Sequence, residues 1–136
     1  MMWYECKENF NIEKGIHSYL EDIALRYPQN TALVFHEYKL SFSELNNRAN
    51  QFANYLLYKG LKPNSCVGVC MDRGFELVIV MLGIMKTGCA YVPMRPDHPF
   101  ERLFSQLSDS SANFLITSQE FTSKFYNLEH RGQVLC

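Results

Sequence analysis

The segment Cys66-Val-Gly-Val-Cys-Met71 constrains the fold more than any other. It is a continuous apolar run of strand length. A strand with one wet face alternates apolar and polar residues. A run without alternation suits a strand buried on both faces, as in parallel sheets covered by helices. Phe75 to Thr87 follows as a helix that is apolar almost all round, which predicts packing on several sides. Gly83 inside it suits close packing, and Gly88 suits its closure. Ala90-Tyr-Val-Pro93 is the next strand. Pro93, Pro96 and Pro99 punctuate a loop, with Pro99 a first-turn residue of the following helix. Phe100, Leu103, Phe104 and Leu107 give that helix its buried face. Asn113–Thr117 is another strand, a short helix is expected around 120–126, and Gln133–Cys136 opens one more strand.

Upstream, Ile12, Ile16, Tyr19, Leu20, Ile23 and Tyr27 recur at three- and four-residue steps, which marks one helical face. Pro28 discourages its continuation. Thr31–Phe35 and Lys39–Phe42 are short β-prone runs that form a hairpin through His36-Glu37-Tyr38. Ser43 opens the next helix, with Ser41 or Ser43 as its cap and Glu44 at its positive end. Its apolar stripe is Leu45, Ala49, Phe52, Ala53, Leu56 and Leu57, with Asn46, Asn47, Arg48 and Asn50 away from it. Gly60 stands where a left-handed capping residue belongs. The fold class is therefore α/β: a partial, mostly parallel βαβ sheet with flanking helices, preceded by an N-terminal helix and a β-hairpin.

Composition narrows the function classes. At 136 residues the chain is one globular domain with room for a core. A hydrophobic share of 47% and an aromatic share of 14% oppose disorder. Thirteen basic residues against fourteen acidic ones leave no field of one sign to hold nucleic acid or anionic lipid. No apolar stretch is long enough to span a bilayer. The N-terminus lacks a basic region followed by an apolar one, so no secretory signal is read there. Five cysteines without such a signal suggest reduced thiols and a cytoplasmic protein. The Cys66–Cys70 pair has no second pair or nearby His to complete a zinc set, so buried thiols are expected.

A search for chemistry finds little. Gly83-Ile-Met-Lys-Thr-Gly88 has the glycine spacing of a phosphate loop, but Cys89 and Ala90 stand where Lys and Ser or Thr belong. There is no G-x-S-x-G elbow. None of the four histidines sits at a metal-ligand spacing from another His or a Cys. His17 and Glu21 lie one helical turn apart and suit a surface hydrogen bond. The densest polar cluster is Arg95-Pro-Asp-His-Pro-Phe-Glu-Arg102. His98 beside Asp97 suggests an oriented imidazole. A solvated loop followed by a charged first helical turn is the preferred alternative.

Two segments go beyond a generic α/β pattern. The first is Leu40-Ser-Phe-Ser-Glu-Leu45, followed by Asn-Asn-Arg-Ala-Asn50. The second is Met85-Lys-Thr-Gly-Cys-Ala-Tyr-Val-Pro-Met-Arg-Pro96, followed by Pro99 and Glu101-Arg102-Leu103. Together they resemble the amino-acid adenylation domains of nonribosomal peptide synthetases, within the acyl-adenylate-forming (AMP-dependent synthetase and ligase) superfamily. The first resembles that family's opening motif, Leu-(Thr/Ser)-Tyr-x-Glu-Leu. The second resembles its next motif, Leu-Lys-Ala-Gly-Gly-Ala-Tyr-Val-Pro-(Leu/Ile)-Asp-Pro. The motif positions carried over are Leu40, Ser41, Phe42, Glu44, Leu45, Lys86, Gly88, Ala90, Tyr91, Val92 and Pro93, all with a structural expectation. Glu44 is expected at a helix start, and Tyr91-Val-Pro93 as a buried strand with a turn. Phe42 departs from the motif's Tyr, Cys89 from its second Gly, and Arg95 from its Asp. His98 stands where the family has Tyr.

The resemblance implies that residues 1–136 form the N-terminal part of an adenylation (AMP-binding) domain, truncated before the phosphate loop. The intact domain would use ATP and Mg²⁺ to activate an amino acid for a peptidyl carrier protein. The family's later motifs are absent from this sequence, so no catalytic, cofactor-binding or metal-ligating residue is carried over, and the chain alone is expected to be inactive. Its partners would be the rest of an adenylation domain or a peptidyl carrier protein. Another expectation is a non-catalytic interaction module that forms a homo-oligomer through exposed apolar surface or complements a separate chain. A third is a decayed remnant.

Overall fold

The structure is a computed structural model that describes residues 16–112, 114–118 and 133–135. The elements run α1 (Ile16–Arg26), β1 (Thr31–Phe35), β2 (Tyr38–Ser41), α2 (Phe42–Tyr58), β3 (Cys66–Cys70), α3 (Phe75–Lys86), β4 (Ala90–Met94), α4 (Phe100–Ser110), β5 (Phe114–Thr117) and β6 (Gln133–Leu135). β1 and β2 form an antiparallel hairpin. The other four strands form a parallel sheet in the order β4-β3-β5-β6. The mostly parallel sheet with flanking helices, and the helix and hairpin before it, are as expected.

β3 is the buried strand its apolar run demands. It has a strand on each side, Val67 opposing Tyr91 on β4 and Phe114 on β5. Val67, Val69 and Cys70 are nearly inaccessible to water. Alternation along the strand sends its residues to two covers. Val67 and Val69 meet Val80 and Ile84 of α3, together with Phe114, Ile116 and Leu56. Cys66 and Cys70 meet Leu103 and Leu107 of α4, together with Met94 and Leu115. Gly68 faces the α4 side, where a Cβ would stand 2.7 Å from Leu107 Cδ2. The missing side chain lets α4 approach the sheet.

α3 has a second layer on its outer side. Phe75, Val78, Ile79 and Leu82 pack against a small core of Leu20 from α1, Leu40 from β2 and Leu45 from α2. This explains why α3 is apolar almost all round: the sheet takes one face, and α1, α2 and the hairpin take another. Gly83 marks the α2–α3 crossing. A Cβ there would sit 2.8 Å from Phe52 Cδ1 and 3.3 Å from the Ala49 carbonyl oxygen.

Local signals account for most element ends. Ser41 is the cap of α2, and its hydroxyl accepts from the Glu44 amide at 3.2 Å. The helix therefore begins at Phe42, one residue before the expected Ser43. Gly60 beyond its end takes φ +96°. The hairpin loop is His36-Glu37 with Phe35 opposite Tyr38, so Tyr38 opens β2 and is not part of the turn. Pro99 is the residue before α4 and not in its first turn.

Other expectations are corrected. Ile16 (59% exposed), Tyr27 (56%) and, less so, Ile23 face solvent, while Leu20 and Ala24 carry the burial of α1. Leu57 and Phe104 are exposed, so the stripes of α2 and α4 are narrower than expected. Among the described strands β4 is an outer one. Ala90 and Pro93 are exposed, Tyr91 and Val92 half-buried, and only Met94 buried. The expected buried strand at Tyr91–Pro93 is thus, among the described strands, an edge strand, where a proline without a backbone N–H is tolerated. Ile12, Asn113, Cys136 and the helix expected near 120–126 lie outside the described residues.

The α2–α3 crossing gives a direct test. Gly83→Ala should force Phe52 or the helix backbone aside and destabilise the protein by about 1–3 kcal/mol. Urea unfolding followed by circular dichroism checks this. A midpoint equal to wild type would show that the crossing is not tight.

Candidate functional site

Parallel α/β sheets bind ligands beyond the carboxyl ends of their strands, where outgoing connections diverge to opposite faces. Here β3 leads into α3 on one face and β4 into α4 on the other. An open cleft lies at that divergence. Its apolar wall includes Leu77 and Met81 of α3 and Tyr91 of β4. Its polar rim is Asp72 and Arg73 from the loop after β3, with Arg95 and Asp97 from the loop after β4.

The Arg95 guanidinium grips Asp97 with two bonds, Nε to Oδ1 at 3.2 Å and Nη2 to Oδ2 at 3.0 Å. Desolvation works to raise the pKa of the Asp97 carboxyl. The charge and hydrogen bonds of Arg95, a backbone hydrogen bond and the nearby His98 outweigh it and hold that carboxyl below the usual carboxylate range. Both partners are largely exposed, so the pair orders the loop more than it stabilises the protein. Asp97 is thus committed to Arg95. The Nδ1 atom of His98 is buried without a hydrogen-bond partner, so the suggested Asp97-oriented imidazole is not formed. The arrangement can cradle a small group between an apolar wall and a mixed-charge rim. Among the described residues, no group of three or more His, Cys, Asp or Glu side chains is placed to hold a metal ion.

The motif residues do different work. Leu40 and Leu45 are buried in the core beneath α1, and Phe42 packs beside them. Ser41 caps α2, and Glu44 lies exposed in its first turn. Tyr91 and Pro93 line the cleft. Gly88 takes φ +79°, and its carbonyl accepts from the Asn64 amide at 3.2 Å. Ala90 joins the same turn by donating its amide to Ser65. Val92 is half-buried on β4.

Lys86 holds the largest surprise. Its side chain is 5% exposed, and its Nζ donates to Glu21 Oε1 at 2.6 Å and to Asn46 Oδ1 at 2.9 Å. One ammonium therefore ties α3 to α1 and α2. Sequence reasoning gave Lys86 only a motif position and put Asn46 off the apolar stripe. No local signal joins residues 65 and 40 positions apart. Cys89 is equally definite. Its thiol is buried and donates to the Lys62 carbonyl at 3.0 Å, filling the position of the motif's glycine. Asp72 and Arg73 were missed as rim residues. Their position just after a doubly buried strand was the available signal.

The family described as AMP-binding enzyme matches residues 20–135. The chain belongs to the AMP-binding enzyme family. Gramicidin S synthase 2 of Brevibacillus brevis is 40% identical over 111 residues, covering 82% of this chain and 2% of that protein. The N-terminal subdomain of Klebsiella oxytoca NpsA, in complex with 3-hydroxyanthranilyl-AMSN, superposes with a TM-score of 0.80 at 27% identity, covering 88% of this chain and 30% of that one. NpsA-ThdA, an artificially fused adenylation–PCP di-domain from Klebsiella oxytoca, gives a TM-score of 0.78 at 27% identity, covering 88% and 22%. This AMP-binding chain spans only a small part of the length of these relatives.

The Lys86 link predicts an asymmetry. Glu21→Gln leaves a buried ammonium without its counter-charge and should cost about 1–3 kcal/mol. Lys86→Met removes that ammonium and leaves a half-exposed carboxylate that water can solvate, so it should cost less. Thermal unfolding of both variants checks the order. Equal losses, or a greater loss for Lys86→Met, would contradict it.

Proposed function

We propose that this chain supplies the N-terminal scaffold of an adenylation domain that, when complete, uses ATP to activate an amino acid as its aminoacyl-adenylate for nonribosomal peptide synthesis. The single observation that carries this reading is the order of the two motifs across a fold held in common with adenylation subdomains. The first motif sits at the β2–α2 joint, the second at the α3–β4 joint. A peptidyl carrier protein is the proposed acceptor, as the fused di-domain's description suggests for its own adenylation domain.

The complete reaction needs charge-stabilising donors and Mg²⁺ around the reacting phosphate. The described residues do not fit that role. Asp97 is engaged by Arg95, and no set of three metal-binding side chains gathers among the described residues. No catalytic step is therefore routed through them, and the chain alone is proposed to be inactive. The rest of an adenylation domain would bring the missing groups.

A second reading, an interaction module that self-associates, draws support from exposed apolar side chains. Leu25 on α1 and Tyr58 on α2 are 83% and 85% exposed. β6 ends the order of described strands. Both readings can be tested on the purified chain. Amino-acid-dependent ATP–pyrophosphate exchange should stay at background across the proteinogenic amino acids, and exchange above background would refute inactivity. Light scattering decides self-association: mass rising with concentration supports the module, and a monomer at high concentration removes it.

A further inference from the structure

A second groove lies on the other side of Arg73, between the hairpin, α2 and the start of α3. Three cations line it, each from a different element: Lys39 from β2, Arg48 from α2 and Arg73 from the β3–α3 loop. Against them stands Glu76. None of the three cations has an ion-pair partner among the described residues. The whole chain carries a net charge of −1, so this excess is local. Like charges lining one groove favour an anionic occupant.

Apolar side chains flank the same groove. Tyr38 is 71% exposed, and Phe35 is also open to water. The Phe35 ring meets Phe75 edge-on at 6.3 Å, which fixes it as a firm platform. Arginine beside exposed aromatic rings is the composition of a protein-binding hot spot.

We infer that this groove docks an acidic segment of a partner protein. The segment's carboxylates meet Lys39, Arg48 and Arg73, and its aliphatic side chains cover Phe35 and Tyr38. A nucleic acid would need an extended basic track along its backbone, and this cluster is confined to one groove on an otherwise balanced surface. The inference does not depend on the adenylation reading.

A rhodamine-labelled peptide of alternating Glu-Glu and Leu-Leu pairs is the probe, titrated with the whole chain and followed by anisotropy. Saturable binding should weaken by roughly tenfold or more between low and high salt. The triple variant Lys39→Glu/Arg48→Glu/Arg73→Glu should lose binding, and Lys62→Glu should bind as wild type. If the triple variant fails to fold, Lys39→Glu alone, at an exposed strand position, should bind about threefold more weakly. Unsaturable binding, equal binding by the charge-reversed variants, or displacement of the peptide by a single-stranded oligonucleotide or inorganic phosphate at equal charge concentration would overturn the inference.

Discussion

Water reaches neither face of β3, and the rest of the structure answers that constraint. A strand buried on both sides needs a helix on each face and a strand on each edge. α3 covers the face of Val67 and Val69, and α4 covers the face of Cys66 and Cys70. Because each helix must connect to a neighbouring parallel strand, the connections leaving β3 and β4 diverge. The cleft at their carboxyl ends is a consequence of covering one strand twice. Gly68 shows how close the fit is, since a single methyl group there would collide with Leu107.

α3 transmits the constraint outward. A helix that buries one face in the sheet and another under α1 and the hairpin has almost no wet surface for its own polar residues. Glu76, in its first turn, is exposed, whereas Lys86, at its last turn, is not. Its ammonium reaches back between α1 and α2 and finds Glu21 and Asn46. Burying that charge costs desolvation, and the pair recovers it only with both acceptors in place. The link joins α1 to both α2 and α3 through one ammonium. The apolar face of α1, with Leu20 and Ala24 buried and Ile16 and Tyr27 wet, leaves the angle of α1 on them weakly specified by itself.

Much of this was legible in the sequence because it rests on local period and local punctuation. The doubly buried β3, the all-round apolar α3, the Ser41 cap and the hairpin all follow from residues within a few positions of one another. The errors share a physical cause. Periodicity reports that a face is apolar but not that anything covers it, so Ile16, Ile23, Leu57 and Phe104 were assigned to cores they do not enter. Tyr91–Pro93 reads as buried because its residues are apolar, yet its place at the sheet's edge depends on strand order, which no local pattern encodes. The candidate site was legible only in part. Arg95, Asp97 and His98 stood out as a polar cluster, and the structure dissolves the Asp97–His98 pairing by giving Asp97 to Arg95. Arg73 joins the rim only because the fold sets the loop after β3 beside the loop after β4, which no local pattern encodes.

The two motifs meet in space through packing and hydrogen bonding. Leu40 and Leu45 of the first lie in the core that receives the outer face of α3. Lys86 of the second donates to Asn46, the residue that follows the first. Cys89 can replace a glycine because its thiol finds the Lys62 carbonyl, and Phe42 can replace a tyrosine because it packs half-buried beside Leu40. Arg95 replaces an aspartate at an exposed loop and is neutralised by Asp97 two residues on. These three departures are absorbed where they stand, each by a neighbour already present. A motif whose substitutions are met by packing and hydrogen bonding in this way marks a joint of the fold.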